Sequence, residues 1–242
     1  MRGNPEAAAY SQSELFRLTE MVRNLPQQGG ADAQATLDEI TESAAKSVPG
    51  AQHAGITLTR HCKVLETPSA TAGYAVQLDE IQGRLGEGPC VSSAWQHHTI
   101  HIDDIATEDR WPRYRDEVLR HTPIRSILSF LMFNDRQTAG ALNFYAEPTH
   151  AFDDDSVEVG FAFATHTALA WNIVRRDEQF HSALASRDII GQAKGMLMER
   201  FSIDAIGAFD LLKRLSQESN TPVAEIARRL VGSGRPRDPD VP

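Results

Sequence analysis

The chain has 242 residues, 41% of them hydrophobic, and carries 24 Lys and Arg against 33 Asp and Glu for a formal net charge of −9. That length holds one large domain or two unequal ones, the apolar share is that of a chain with a buried core, and the acidity argues against non-specific coating of DNA. No apolar run approaches the roughly 18 residues that cross a bilayer, and the N-terminal residues behind Arg2 lack the apolar core of a secretion signal, so a cytoplasmic protein with no membrane partner is expected.

Residues 1–12 are small, polar and unpatterned, which predicts disorder. Leu15, Leu18, Val22 and Leu25 recur at helical spacing until Pro26, Gly29 and Gly30 stop them. A second helix is expected from about Asp32, as N-cap, to Val48, with Leu37, Ile40, Ala44 and Val48 on its apolar face. The period then changes to two. Ile56 and Leu58 alternate with Thr57 and Thr59 as a half-buried strand, and 62–67 is a second strand of the same hairpin. A helix over 72–83 is ended by Gly83, Gly86 and Gly88-Pro89, and another covers 91–97. Thr99–Ile102 is a short strand, 103–109 an acidic loop and 113–121 a helix. Strands Ser126–Phe133 and Thr138–Tyr145 follow, separated by residues 134–137. The order predicts an α+β fold, an antiparallel sheet flanked by helices.

From Asp153 there is no proline until Pro222, and Asp153–Asp155 can cap a long helix. Its apolar stripe is Phe161, Ala164, Ala168 and Trp171, continued by Ile173, Phe180, Arg187 and Lys194 and, on adjoining rows, by Ala183, Ile190 and Leu197. Spacings of seven and near four suit a coiled-coil seam between two subunits, hence a homodimer; the alternative is a helix that packs only on its own sheet. A helix over Ser202–Ser219 shows Ile203, Ile206, Phe209, Leu212 and Leu215. Asn220-Thr221-Pro222 breaks it, with Thr221 as cap and Pro222 at the first position of a last helix, Pro222–Val231, that ends at Gly232. The tail 232–242 is expected to be disordered.

Few constellations point to catalysis. Cys62 and Cys90 are too few for a disulfide framework and read as partly buried thiols. His97, His98 and His101 near Cys90 are zinc-binding types without a dependable ligand spacing. Asp103-Asp104 reads as a solvated pair in an acidic loop. The stretch Gly83–Gly88 lacks the Lys-Ser/Thr of a phosphate loop, and no nucleophile elbow or H-E-x-x-H is present. No catalytic residue, metal site or cofactor is expected.

The string Ser186-Arg187-Asp188-Ile189-Ile190-Gly191-Gln192-Ala193-Lys194-Gly195-Met196-Leu197-Met198-Glu199-Arg200 closely resembles the first helix of ANTAR domains, the AmiR and NasR transcription antitermination regulators. The resemblance continues through Ala208–Gln217 and Val223–Leu230, about 55 residues in order. Upstream, residues 32–176 resemble a GAF domain in Leu85–Cys90, Asp109–Pro112, Arg125–Ser129 and Gly140–Tyr145. The expected organisation is a disordered 1–12, a GAF-like sensor domain over 13–176, a three-helix ANTAR domain over 177–231 and a disordered tail over 232–242.

The resemblance implies a regulator whose ANTAR module binds paired hexaloop hairpins in nascent RNA and so prevents a terminator from forming. Two hairpins suit two copies of the module. It also implies an unidentified small-molecule or protein signal at the GAF domain. The residues themselves can serve that chemistry. Arg187, Gly191, Lys194, Gly195 and Met198 recur at three and four, hence near one helix face. Arg187 and Lys194 offer charge to phosphates, and the glycines leave room for a close approach or allow helices to pack tightly. Arg187 is nearly as well suited to an ion pair with Asp188, Glu199 or a partner chain. Ser216, Gln217 and Asn220 form a polar cluster able to read base edges, and Gln192 and Arg214 complete the expected RNA-contacting set. Ile190, Ala193, Leu197, Phe209, Leu212 and Ile226 are expected to be the bundle core. The competing readings are a DNA-binding factor with a helix-turn-helix, and a small-molecule sensor whose last helices only dimerise.

Overall fold

The structure, a computed structural model, describes residues 19–20, 23, 30–60, 64–91, 99–134 and 138–233. The expected disorder of 1–12, most of the helix marked by Leu15–Leu25, the start of the second strand at 62–63, all but the first residue of the helix over 91–97 and the tail beyond 233 lie outside these residues. The chain divides into two compact units, residues 1–175 and 176–242.

The first unit is built on a five-stranded antiparallel sheet in the order β2-β1-β5-β4-β3. Its strands are β1 (His53–Arg60), β2 (Val64–Ala70), β3 (Thr99–Ile102), β4 (Ser126–Asn134) and β5 (Thr138–Ala146). Helices α1 (Gly30–Ser47), α2 (Gly73–Leu85) and α3 (Pro112–His121) belong to this unit, together with the first part of the long α4 (Asp154–Phe201). Period two in the strands decides which layer lies where. Ala54, Ile56, Leu128, Phe130, Leu142 and Phe144 pack against Leu37, Ile40 and Ala44 of α1 and Phe163, Ala164 and Val174 of α4. On the opposite face Ile127 and Tyr145 join Ala75, Leu78 and Ile81 of α2 and Tyr114 and Val118 of α3. The β1 strand is therefore buried on both faces rather than half-buried, and Thr57 is as inaccessible as Ile56.

Several boundaries differ from the sequence reading for local reasons. Helix α1 starts at Gly30, so Asp32 lies inside it rather than capping it. Gly83 lies within α2, which ends instead at Gly86: this residue adopts the left-handed conformation (φ 65°) and its amide donates to the Gln82 carbonyl at 2.8 Å. The acidic loop 103–109 holds a 3₁₀ turn, Ile105–Thr107, capped by Asp104 Oδ1 accepting from the Ala106 amide at 3.0 Å. Asp104 also accepts two guanidinium nitrogens of Arg125 at 2.9–3.0 Å, so it is an engaged carboxylate and not a solvated one. The start of α4 is capped by Asp153, whose Oδ1 accepts the Ser156 amide at 2.9 Å while its own amide donates to Ser156 Oγ at 3.0 Å.

The second unit holds the end of α4, α5 (Ala205–Ser219) and α6 (Val223–Ser233). Ala193, Leu197, Ala208, Leu212 and Ala227 are buried at its centre, with Ile189, Ile190, Ile203, Leu211, Val223 and Ile226 packed around them. The α5 helix begins at Ala205 rather than Ser202, because Ser202 takes φ 53° and Asp204 Oδ1 caps the Gly207 amide at 2.8 Å. At α6 the Pro222 carbonyl accepts the Glu225 and Ile226 amides at 2.9 and 3.1 Å, while the Thr221 hydroxyl donates back to the Ser219 carbonyl at 3.1 Å. Pro222 thus stands before the helix, Thr221 does not cap it, and the helix runs past Gly232. Phe209 is a further departure: it is 41% exposed and outside the bundle core. Leu212 and Ala208 fill the core from the same helix, so its apolar positions divide between two faces. Among the described residues, no helix is long and apolar enough to cross a membrane.

Candidate functional site

In the second unit the end of α4 presents the expected row. Arg187, Gly191, Gln192, Gly195 and Met198 are exposed and Lys194 is half-buried. Glycine within a helix costs about 1 kcal/mol relative to alanine, so two of them need a reason. Tight packing inside this chain does not supply one, since a Cβ built on Gly191 or Gly195 would meet nothing within 4 Å. The bare strip of backbone faces open space.

The expected partners on α5 separate into two groups. Arg214 and Gln217 are exposed. Ser216 donates its hydroxyl to the Thr221 carbonyl at 2.6 Å, and Asn220 is the left-handed cap of α5 at φ 48°, its amide bonded to the Gln217 and Ser216 carbonyls. Ser216 thus spends its hydroxyl donor on the turn into α6, while Asn220 sets that turn through its backbone and keeps its side chain exposed. Two side chains absent from the expected set join the row. Phe209 lies beside Lys194, whose Nζ is 5.9 Å from the ring centroid, and exposed Lys213 follows Phe209 by four residues. The signal for them was the four-residue spacing Phe209, Lys213, Gln217, hidden because Phe209 also fits the core periodicity.

The cations divide equally clearly. Arg228 and Arg229 of α6 both pair with Glu225, at 2.9 and 3.2 Å, and these two bonds, Arg228's first, hold the Glu225 carboxyl below its ordinary range. Arg187, Lys194, Arg200, Lys213 and Arg214 form no ion pair among the described residues, and Arg187 engages neither Asp188 nor Glu199. The cations without an ion pair among the described residues of this unit thus lie on α4 and α5, whereas both arginines of α6 share the Glu225 carboxylate.

The first unit contains a closed circuit of buried hydrogen bonds on the sheet face under α2. Asn143 Nδ2 donates to Thr57 Oγ1 at 2.7 Å, and Thr57 in turn donates to the Asp79 carboxylate at 2.8–2.9 Å. Gln82 Nε2 donates to Asp79 at 3.2 Å and Gln82 Oε1 accepts the Cys90 amide at 2.8 Å. The Cys90 thiol closes the loop on Asn143 Oδ1 at 3.7 Å, and Thr67 adds a bond to Asp79 at 2.7 Å. Local sequence explains the approach. At Gly88 (φ 133°) a Cβ would come within 2.5 Å of the Gln82 side chain, so only glycine lets the chain pass Gln82 and deliver the Cys90 amide to it.

Burial dominates the electrostatics of this circuit. It pushes the Asp79 carboxyl up to about 7 against the opposing bonds from Thr67 and Thr57. Burial, reinforced by the Asp79 charge, pushes the Cys90 thiol far above its usual range, so Cys90 is a protonated hydrogen-bond donor and not a nucleophile. A cleft of about 350 Å³ lined by Thr67, Val76, Asp79, Glu80, Gly83 and Arg84 lies against this acid. Of the three histidines of zinc-binding type, His97 and His98 lie outside the described residues, and His101 Nε2 is 3.2 Å from Asp103 Oδ1. Trp111 is buried under the Arg110 guanidinium, 4.5 Å from its ring, and belongs to the core.

Residues 1–175 thus form a layered sheet with a polar interior, and residues 176–242 hold a small helical bundle. Residues 30–172 match the GAF domain model and residues 178–231 the ANTAR domain model. The first match covers over half of the chain, which therefore belongs to the GAF domain family and carries an ANTAR domain on its C-terminal side. Among solved structures it is similar to free methionine-R-sulfoxide reductase from Neisseria meningitidis in complex with its substrate, at 15% identity and TM-score 0.50, over 73% of this chain and 96% of that one. It is also similar to the GAF domain of a phosphoenolpyruvate-protein phosphotransferase from Coxiella burnetii, at 14% identity and TM-score 0.48, over 68% and 98% of the two chains. At such identities the first likeness shows the fold alone. Among curated proteins, none matches the chain.

Proposed function

We propose that the protein is a non-enzymatic, RNA-binding antitermination regulator of the cytoplasm. In this reading residues 13–176 are the sensor and residues 177–231 bind paired hexaloop hairpins in a nascent transcript, preventing the terminator from forming. The observation that carries the reading is the face of α4 and α5. It combines open backbone at Gly191 and Gly195 with cations that no carboxylate neutralises among the described residues. A phosphate-rich partner supplies the missing counter-charges, and exposed Arg187, Gln192, Met198, Arg214 and Gln217 border the same strip. Ser216 and Asn220 support it by setting the turn after α5. A DNA-binding helix-turn-helix is less well supported, because the two arginines of the last helix are engaged by Glu225.

The reading includes a homodimer. On α4, Phe161 and Leu169 in the first unit and Phe180 and Leu184 in the second are large apolar residues left exposed by the single chain. Such residues on a long helix are what a second copy would cover. A ligand or protein signal at the GAF domain would then act by biasing the dimer equilibrium through residues 172–187. The test is selection by the purified full chain from a pool of two-hairpin RNAs with randomised six-nucleotide loops, beside single-hairpin RNA and duplex DNA. Enrichment of two-hairpin RNA that Lys194→Ala loses supports the reading; equal retention of all three nucleic acids rejects it.

A further inference from the structure

We propose that the Phe209 ring is a stacking platform for one unpaired base of an RNA loop, with Lys194 over the ring and Lys213 one turn along the helix as phosphate contacts. The inference rests on the RNA-binding reading above and adds to it the subsite and its chemistry.

Phe209 is an apolar ring that the bundle does not use. It is left half in solvent, while Ala208 and Leu212 on the same helix are fully buried and complete the core. Exposure of a phenylalanine would signify little by itself, but its surroundings are those of a nucleic-acid contact. The Lys194 ammonium sits 5.9 Å from the ring centroid, on the π-face where a cation is attracted. Lys213 is one turn further along α5 on the same helical row, at the ~6 Å spacing of i and i+4 side chains. Neither lysine has a carboxylate partner among the described residues. Gly195, next to Lys194, leaves the flank open for a ribose or base to approach.

The chemistry of the pair selects the partner. A second protein copy covering the ring would desolvate two ammonium groups unless its own exposed carboxylates, such as Asp188 or Asp210, were aligned with both. A loop nucleotide brings both components together: an unstacked base with a free π-face, and phosphates one nucleotide to either side. Stacking of this kind is tolerant of base identity, so Phe209 supplies affinity and register, while the neighbouring polar side chains Gln192 and Gln217 are left to distinguish base edges.

The experiment uses the full chain and the two-hairpin RNA it selects from the randomised-loop pool, with 2-aminopurine placed in turn at each loop position. Binding is measured for wild type, Phe209→Leu, Phe209→Trp, Lys194→Ala and Lys213→Ala over a range of salt concentrations, with thermal unfolding and sedimentation recorded for each variant. One loop position should be quenched on binding in the wild type and in Phe209→Trp but not in Phe209→Leu. Phe209→Leu should weaken binding by about tenfold or more with an unchanged salt slope, because the ring carries no charge. Each lysine variant should reduce the salt slope by about one. Wild-type affinity in Phe209→Leu would overturn the platform while leaving RNA binding in place. So would a Phe209→Leu chain that sediments as a smaller species, since the ring would then be a protein contact. Failure of the wild-type chain to enrich any RNA would remove the RNA reading and the platform together.

Discussion

Acidification from pH 8 to pH 5 should stabilise the GAF domain, and Asp79 should be the cause. Its carboxyl is 2% exposed, and burial raises it from the ordinary 3.8 to about 7. A proton bound more tightly in the folded than in the unfolded chain stabilises the fold wherever that proton is present. The contribution is complete below about pH 4 and is lost as pH rises towards 7. At about 1.4 kcal/mol per pH unit the gap corresponds to roughly 4 kcal/mol in full, of which about 2.5 kcal/mol separates pH 5 from pH 8. Asp104, Glu108, Glu117 and Asp153 have the opposite sign, but their carboxyls are held below the ordinary range, so their losses fall beneath this window. The assay is urea unfolding of the full chain followed by tryptophan fluorescence, because Trp95, Trp111 and Trp171 all lie in the first unit. Wild type should lose about 2.5 kcal/mol from pH 5 to pH 8 relative to Asp79→Asn, which cannot ionise. A wild-type-minus-variant difference that stays flat across this range would refute the reasoning and mean that the threonine donors hold Asp79 ionised.

Other substitutions separate structure from function in the second unit. Gly191→Ala should stabilise the helix by up to about 1 kcal/mol in thermal unfolding, since the new methyl meets nothing, yet should weaken binding to the selected RNA. A gain in stability with unchanged RNA affinity would show that the bare backbone is not approached. Asp204→Ala removes the α5 cap and should cost about 1 kcal/mol in the unfolding of the ANTAR domain, with Asp204→Ser restoring most of it. Phe180→Glu should shift sedimentation at micromolar concentration from dimer towards monomer without lowering the unfolding temperature of the GAF domain, because the ring is 62% exposed in the single chain.

Much of this was legible in the sequence because periodicity reports burial. Period two marked β1, and the proline-free run from Asp153 marked α4 and its cap. The resemblance in Leu85–Cys90 pointed to the GAF fold without saying what the motif does. Gly86 ends a helix, Gly88 clears Gln82, and Cys90 closes a hydrogen-bond circuit whose other members lie up to 53 residues away in the chain. No local pattern encodes such a circuit: Thr57 and Asn143 read as ordinary outward strand positions until α2 covers them. The exposure of Phe209 is hidden from the sequence for a related reason. Its spacing from Leu212 fits a single stripe, but α4 and α6 cover only one side of α5, and the spacing alone does not say which. The Ser216 hydroxyl suits a base edge equally well, and only three-dimensional structure shows it bonded into a turn that the Asn220 backbone sets.

The most direct test of the central claim is single-round transcription of a template in which the selected two-hairpin element overlaps an intrinsic terminator. Wild-type protein should increase readthrough in proportion to its occupancy of the RNA, and Lys194→Ala should need a higher protein concentration for the same readthrough. Readthrough that wild-type protein does not change at concentrations saturating the RNA would contradict antitermination, whatever the affinity of binding.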